Sequence, residues 1–195
     1  MKQTLLFLLL LTLHTVHSQE QQQEAYIIQA DSTWGKEIIK FPIEWAPKLT
    51  LEGYEELTFT PEWSKENYDD FWSIIMTWRV KTNQKIPLYE LEYNLLHYFD
   101  HLMKPNYWAQ EFPLPKAEFK APITTEKATE YEAQLTFFDG FHTGKVITTY
   151  ILGQQIFNQA TEEAIIIFKI SPKPYTEAIW EKLNAQTIIT GFKTD

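Results

Sequence analysis

The run from Phe71 to Val80 constrains the fold most tightly. Trp72, Ile74, Met76, Trp78 and Val80 share one parity, and Phe71, Ser73, Ile75, Thr77 and Arg79 share the other. Strand side chains alternate between faces, so this segregation predicts a β-strand in a sheet with one fully buried side. A lone strand is not stable, and partners are present along the chain. Glu24 to Ala30 and Gly53 to Thr60 read as shorter strands, the second stopped by Pro61. Tyr131 to Phe138 sets Tyr131, Ala133, Leu135 and Phe137 on one face. Asp139-Gly140 then begins a turn, and Lys145 to Leu152 is the return strand. Ala164 to Ile170 is a further, β-branched strand.

Two segments have helical period instead. Pro87 opens a helix that runs to about Met103 and is closed by Pro105. Its Leu88, Leu91, Leu95, Tyr98, Phe99 and Leu102 form one apolar stripe for packing on the sheet. Ser171-Pro172-Lys173-Pro174 stops the last strand and launches a final helix through about Ala185. Residues 104–125 carry four prolines and read as an irregular surface connection, with Tyr107, Trp108, Phe112 and Phe119 laid over the core. The expected fold is therefore α+β: antiparallel sheet packed with two main helices, strands followed by a helix in each half.

The first 18 residues read as an export signal. Lys2 supplies the positive start, Leu5 to Leu13 the apolar run, and Val16 and Ser18 the small residues before a cut at Gln19. That run is nine residues, short of the roughly 20 needed to span a membrane, so no membrane span is expected in the mature chain. Residues 19–24 form a polar tail expected to be disordered, and residues 25–195 a single domain. The expected location is periplasmic or secreted. The chain has no cysteine and no Asn-x-Ser/Thr acceptor site, which favours a bacterial envelope or secreted protein over a eukaryotic one.

Without disulfides, stability must come from burial. Seven Trp, ten Tyr and thirteen Phe supply large areas for it. The formal charge is −9, and no basic stripe offsets it. Such a surface repels phosphate backbones, so nucleic acid is excluded as a partner.

Several segments occur together in an order that resembles a family of uncharacterised exported bacterial proteins. They are Gly53 to Trp63, Phe71-Trp72-Ser73 with Trp78, Asp139-Gly140-Phe141 with Gly144-Lys145, and Phe168 to Pro174. The resemblance spans most of the mature chain and implies export, with no activity attached.

Candidate chemistry is sparse. His97 and His101 lie at i and i+4 on the expected helix, the spacing at which two imidazoles share a zinc ion. Glu90 and Asn94 fall on the same flank, but Asp100 points about 100° from His101, so no third ligand is expected and the pair reads as two solvent-side histidines. Asp139 and His142 can form a base with an oriented imidazole, yet Asp-Gly is also what a hairpin turn needs. Glu62, Asp69 and Asp70 lie near aromatics before the best strand, and acidic residues in a turn are ordinarily solvated. Trp34, Trp45, Trp63 and Trp108 fall in expected loops, where they either cap the core or form a recognition platform; Trp63 and Trp108 are the ligand-binding candidates. No glycine cluster cradles a phosphate, and no cofactor is expected. The residues thus point to an exported binding or structural module for a protein, glycan or small molecule. The alternative is a hydrolase using carboxylates or a bound metal.

Overall fold

The computed structural model describes residues 24–103 and 112–192, so the leader, most of the polar tail and Trp108 lie outside it. The elements follow in the order β1 (Ile28–Gln29), β2 (Gly35–Lys40), β3 (Gly53–Phe59), β4 (Ile74–Lys81), α1 (Leu88–Met103), β5 (Lys116–Phe119), β6 (Ile123–Thr124), β7 (Thr129–Asp139), β8 (Lys145–Asn158), β9 (Glu163–Ser171), α2 (Ile179–Asn184) and β10 (Thr187–Ile188). Eight strands make one sheet in the order β2-β3-β4-β9-β8-β7-β5, with β6 also on β7. Every pairing in it is antiparallel. β1 and β10 form a separate two-stranded ribbon.

The expected balance of strand and helix does not hold. Among the described residues strand occupies 40% and helix 14%, so the fold is predominantly β. Nor are there two halves that each end in a helix. β4 pairs with β9 over its whole length, from Ile74↔Ile170 to Lys81↔Glu163, which fuses both parts into one sheet.

Three local causes account for the difference. β8 runs on past Leu152 because Gln155, although polar, is fully satisfied inside. Its amide donates to the Ile86 carbonyl (3.0 Å) and the Tyr131 hydroxyl (2.8 Å) and accepts from the Ile86 N–H (2.7 Å). α2 has only 6 residues, because the chain from Pro174 to Ala178 is taken up in turns. Finally, the stretch expected to be irregular contributes two short strands, β5 and β6, both on β7.

The best-predicted strand begins at Ile74, three residues later than its alternation suggests. Trp72 adopts a left-handed backbone with φ 50°, which breaks the ladder. From Ile74 onward both parities are buried, not one. Leu57, Ile74, Met76, Trp78, Ile166, Phe168 and Ile170 pack with Leu91, Leu95, Tyr98 and Phe99 of α1. On the opposite face Tyr54, Ile75, Ile165 and Ile167 pack with Ile27 and Ile28 and with Ile179, Trp180 and Leu183 of α2. The sheet is the middle layer of three, which explains why β9 reads as an unbroken apolar run.

The α1 stripe falls where the 3.6-residue period places it, with Leu91 and Leu95 at 0% exposure. Gly53 enters β3 at φ +138°, and a Cβ there would lie 2.1 Å from the Arg79 carbonyl oxygen. Only glycine fits both the dihedral and the close strand approach.

Truncating Leu95 to Ala is expected to lower stability by about 2–5 kcal/mol in denaturant melts. Gly53→Ala should lose more than about 1 kcal/mol, because strain and clash add. Tyr89→Ala, at a side chain 74% exposed, should stay within about 0.5 kcal/mol.

Candidate functional site

A cleft of about 410 Å³ opens between the β2–β3 side of the sheet and α1. Its lining is aromatic: Trp45, Trp63, Trp72, Phe59, Tyr98 and Phe141. The size lies in the usual range for small-molecule sites, about 300–1,000 Å³. Each wall has an identifiable support. Asn94, buried on α1, accepts the Thr50 N–H (2.9 Å) and donates to the Thr50 hydroxyl (3.2 Å), tying down the loop that carries Trp45. The Trp45 ring then meets Tyr98 edge to face, with centroids 5.3 Å apart. Trp63 packs on Phe59 (4.7 Å) and against Trp72 (5.9 Å). Its carbonyl accepts the Trp72 N–H at 2.8 Å, which fixes the turn between them.

Trp72 is unusual in two respects. It is 2% exposed yet left-handed, and its indole Nε1 has no hydrogen-bond partner among the described residues. A left-handed non-glycine residue costs about 1–3 kcal/mol. A buried donor without a partner costs a similar amount. Both fall on one residue of the cleft wall.

Among the described residues, Glu37 carries the one carboxylate on the lining, and no lysine or arginine joins it. Behind the wall lies Glu55, at 0% exposure, accepting the Trp78 indole N–H at 3.2 Å. Burial pushes its pKa up to about 8, against the lowering effect of the Trp78 and Tyr98 donors; the charge of Glu37 adds to the rise. Burial likewise raises the Tyr98 phenol well above its ordinary range, and Glu55 contributes. The adjacent Glu56 points to the other face, also at 0% exposure. It accepts the N–H groups of Ile27 and Ile28 and sits 3.5 Å from the Lys36 ammonium, anchoring the N-terminal segment.

The residues singled out in the sequence have varied fates. Trp63 lines the cleft, whereas Trp108 lies outside the described residues. Asp139 is a turn cap: its carboxylate accepts the N–H groups of Phe141 (3.1 Å), His142 (3.2 Å) and Thr143 (2.9 Å), and the Thr143 hydroxyl (2.8 Å). The His142 ring instead sits among Trp63, Phe71, Trp72 and Phe141. The acidic turn is laced to lysines, with Glu62 on Lys65, Asp69 on Lys173 and Asp70 on Lys182. His97 and His101 are partly exposed on α1. Asp100 joins them, contrary to the angular expectation: one donor atom from each of the three lies within 4.8 Å of the others. His97 falls between Asp100 and His101 around the helix, about 60° and 40° away, so both can lean toward it.

Glu55, Glu56 and Trp72 were not candidates from the sequence. The signal for the first two was present, since adjacent glutamates inside a strand occupy opposite faces. Glutamate is seldom fully buried, so a strand covered on both sides makes such a pair notable. Nothing in the sequence marked the backbone of Trp72.

No protein-family model matches the chain, and neither a curated protein nor a solved structure shows significant similarity to it. Among the described residues, no helix is long and apolar enough to cross a membrane.

The buried carboxyl makes a signed prediction. The folded-state pKa of Glu55, about 8, lies above its ordinary 4.5, so the folded protein holds a proton that the unfolded chain releases. Stability from the neutral form is complete below pH 4.5 and is lost as pH rises toward 8. Glu55→Gln keeps an acceptor for Trp78 but cannot ionise. Across that window, wild-type stability minus variant stability should fall by about 1.4 kcal/mol per pH unit in urea melts. Parallel curves would refute the burial of a titrating Glu55.

Proposed function

We propose that this chain is an exported, non-catalytic binding module that takes a compact apolar ligand bearing a positive charge into the Trp45–Trp63–Trp72 cleft. The observation that carries this reading is Trp72, held in a strained backbone with an unmatched buried N–H on a cleft wall. Neither feature helps the fold, and strain of this kind collects at ligand sites. Charge selects the ligand class. Indole faces attract cations, Glu37 is negative, and no described lining residue is positive. An anion would meet the Glu37 carboxylate, and among the described lining residues only the Trp72 N–H would favour it. Export rests on the leader-like first 18 residues and the cysteine-free composition.

A hydrolytic reading has one observation in its favour, the three donors of His97, Asp100 and His101. Against it, Asp139 is engaged in its own turn, and the chain has no cysteine to act as a nucleophile.

Tryptophan-fluorescence titrations with benzyltrimethylammonium and its uncharged carbon isostere, neopentylbenzene, test the binding reading. The ammonium should bind saturably and by about 2- to 30-fold more tightly than the isostere, the range of cation–π energies. Glu37→Gln should narrow that preference, and Trp63→Ala should weaken both ligands by roughly tenfold or more. Failure of both probes to bind would refute the cleft as a ligand site. Equal binding would refute only the charge preference.

A further inference from the structure

We infer that the C-terminal part of α1 is a binding site for a single divalent transition-metal ion, zinc by ligand preference, held by His97, Asp100 and His101. The site is separate from the aromatic cleft and does not depend on it. Two imidazole nitrogens and one carboxylate oxygen lie within 4.8 Å of one another. His97 and His101 stand at i and i+4 on one helix, the spacing at which two imidazoles reach one zinc ion, and Asp100 at i+3 lies beside them.

Three further features of the local structure suit a cation. First, His101 Nδ1 lies 2.8 Å from the His97 carbonyl oxygen. With Nδ1 donating that bond, Nε2 keeps its lone pair, and the ring is oriented as metal-bound histidines are by outer hydrogen bonds. Second, the donors fall in the last two turns of α1, which ends at Met103. Aligned peptide dipoles make a helix C-terminus negative, so a positive ion is favoured there. Third, Asp100 is buried at 6% exposure, although it lies on the side of α1 away from the Leu91–Leu95 stripe. A carboxylate removed from water gains more from a nearby cation than a solvated one does.

Imidazole ligands select the metal class. Two nitrogens and one oxygen suit zinc, cobalt or nickel, whereas magnesium and calcium require oxygen sets. Bonds to zinc of about 2.0–2.2 Å place tetrahedral ligand atoms about 3.3 Å apart. The present separation of up to 4.8 Å exceeds that, so metal binding requires the three side chains to draw together by about 1.5 Å.

The test uses the tag-free mature chain, stripped with chelator and titrated with zinc chloride by calorimetry. One equivalent should bind, and the thermal midpoint should rise with free zinc as mass action requires. His97→Gln and His101→Gln should each weaken zinc by roughly tenfold or more, as loss of a ligand does. Circular dichroism would confirm that both variants fold. Zinc-edge X-ray absorption on the parent gives a readout that needs no variant, and two imidazoles in the first shell are expected. Absence of saturable binding, undiminished affinity in the folded variants, or a first shell without imidazole would each overturn the assignment.

Discussion

The pairing of β4 with β9 at the centre of the sheet is the constraint on which the rest depends. These strands come from distant parts of the sequence, and their eight matched pairs place Met76 beside Phe168 and Trp78 beside Ile166 on the α1 side. The same register places Ile75 beside Lys169 and Thr77 beside Ile167 on the α2 side. Sheet side chains reverse face at each residue, so a slip of one would exchange the two cores. The hydrogen bond between the Ser73 and Ser171 hydroxyls, at 2.9 Å, closes this pairing at one end. The Arg79–Glu163 ion pair, at 2.7 Å, closes it at the other.

Burial on both faces sets the terms for every charged residue in β3. Glu56 meets them with backbone N–H groups and the Lys36 ammonium, so its charge is compensated where it lies. Glu55 has no cation beside it, only the Trp78 indole and the Tyr98 phenol, and accordingly its carboxyl is shifted toward neutrality. Two neighbours of identical type therefore do different jobs. One anchors the segment leading into β1; the other leaves an electronegative, weakly ionised group behind an aromatic wall.

Much of the secondary structure was legible in the sequence. The period of 3.6 in α1 is strong because the helix buries a clean stripe, whereas the period of two at Phe71–Val80 marks the strand although both of its faces are buried. What misled was inference from polarity and proline. Gln155 looks like the end of a strand but is a core residue with all its amide hydrogen bonds met. Pro172 and Pro174 look like a helix start, yet only Ile179–Asn184 is helical. The α+β expectation came from dividing the chain into two halves that each end in a helix, and the β4–β9 pairing joins those halves into one sheet. The aromatic site was half legible: Trp63 stood out as a loop tryptophan, but the strain at Trp72 is a property of backbone geometry that no residue type encodes.

Helix α1 connects the separate parts of the molecule, and its faces divide the work. Leu91 and Leu95 hold it to the sheet, and Asn94 holds the Trp45 loop to it. Tyr98, Phe99 and Leu102 form one wall of the cleft, while His97, Asp100 and His101 gather on the other side of the same two turns. A residue step of 100° is what permits this, since consecutive side chains serve different surfaces. Packing runs the whole length of α1, since Tyr98, Phe99 and Met103 are buried as deeply as Leu91 and Leu95, so the C-terminal turns hold the core on one side while they gather the three donors on the other. Leu102 shares the stripe with Leu91 and Leu95 in the sequence but is only partly buried on the cleft lining.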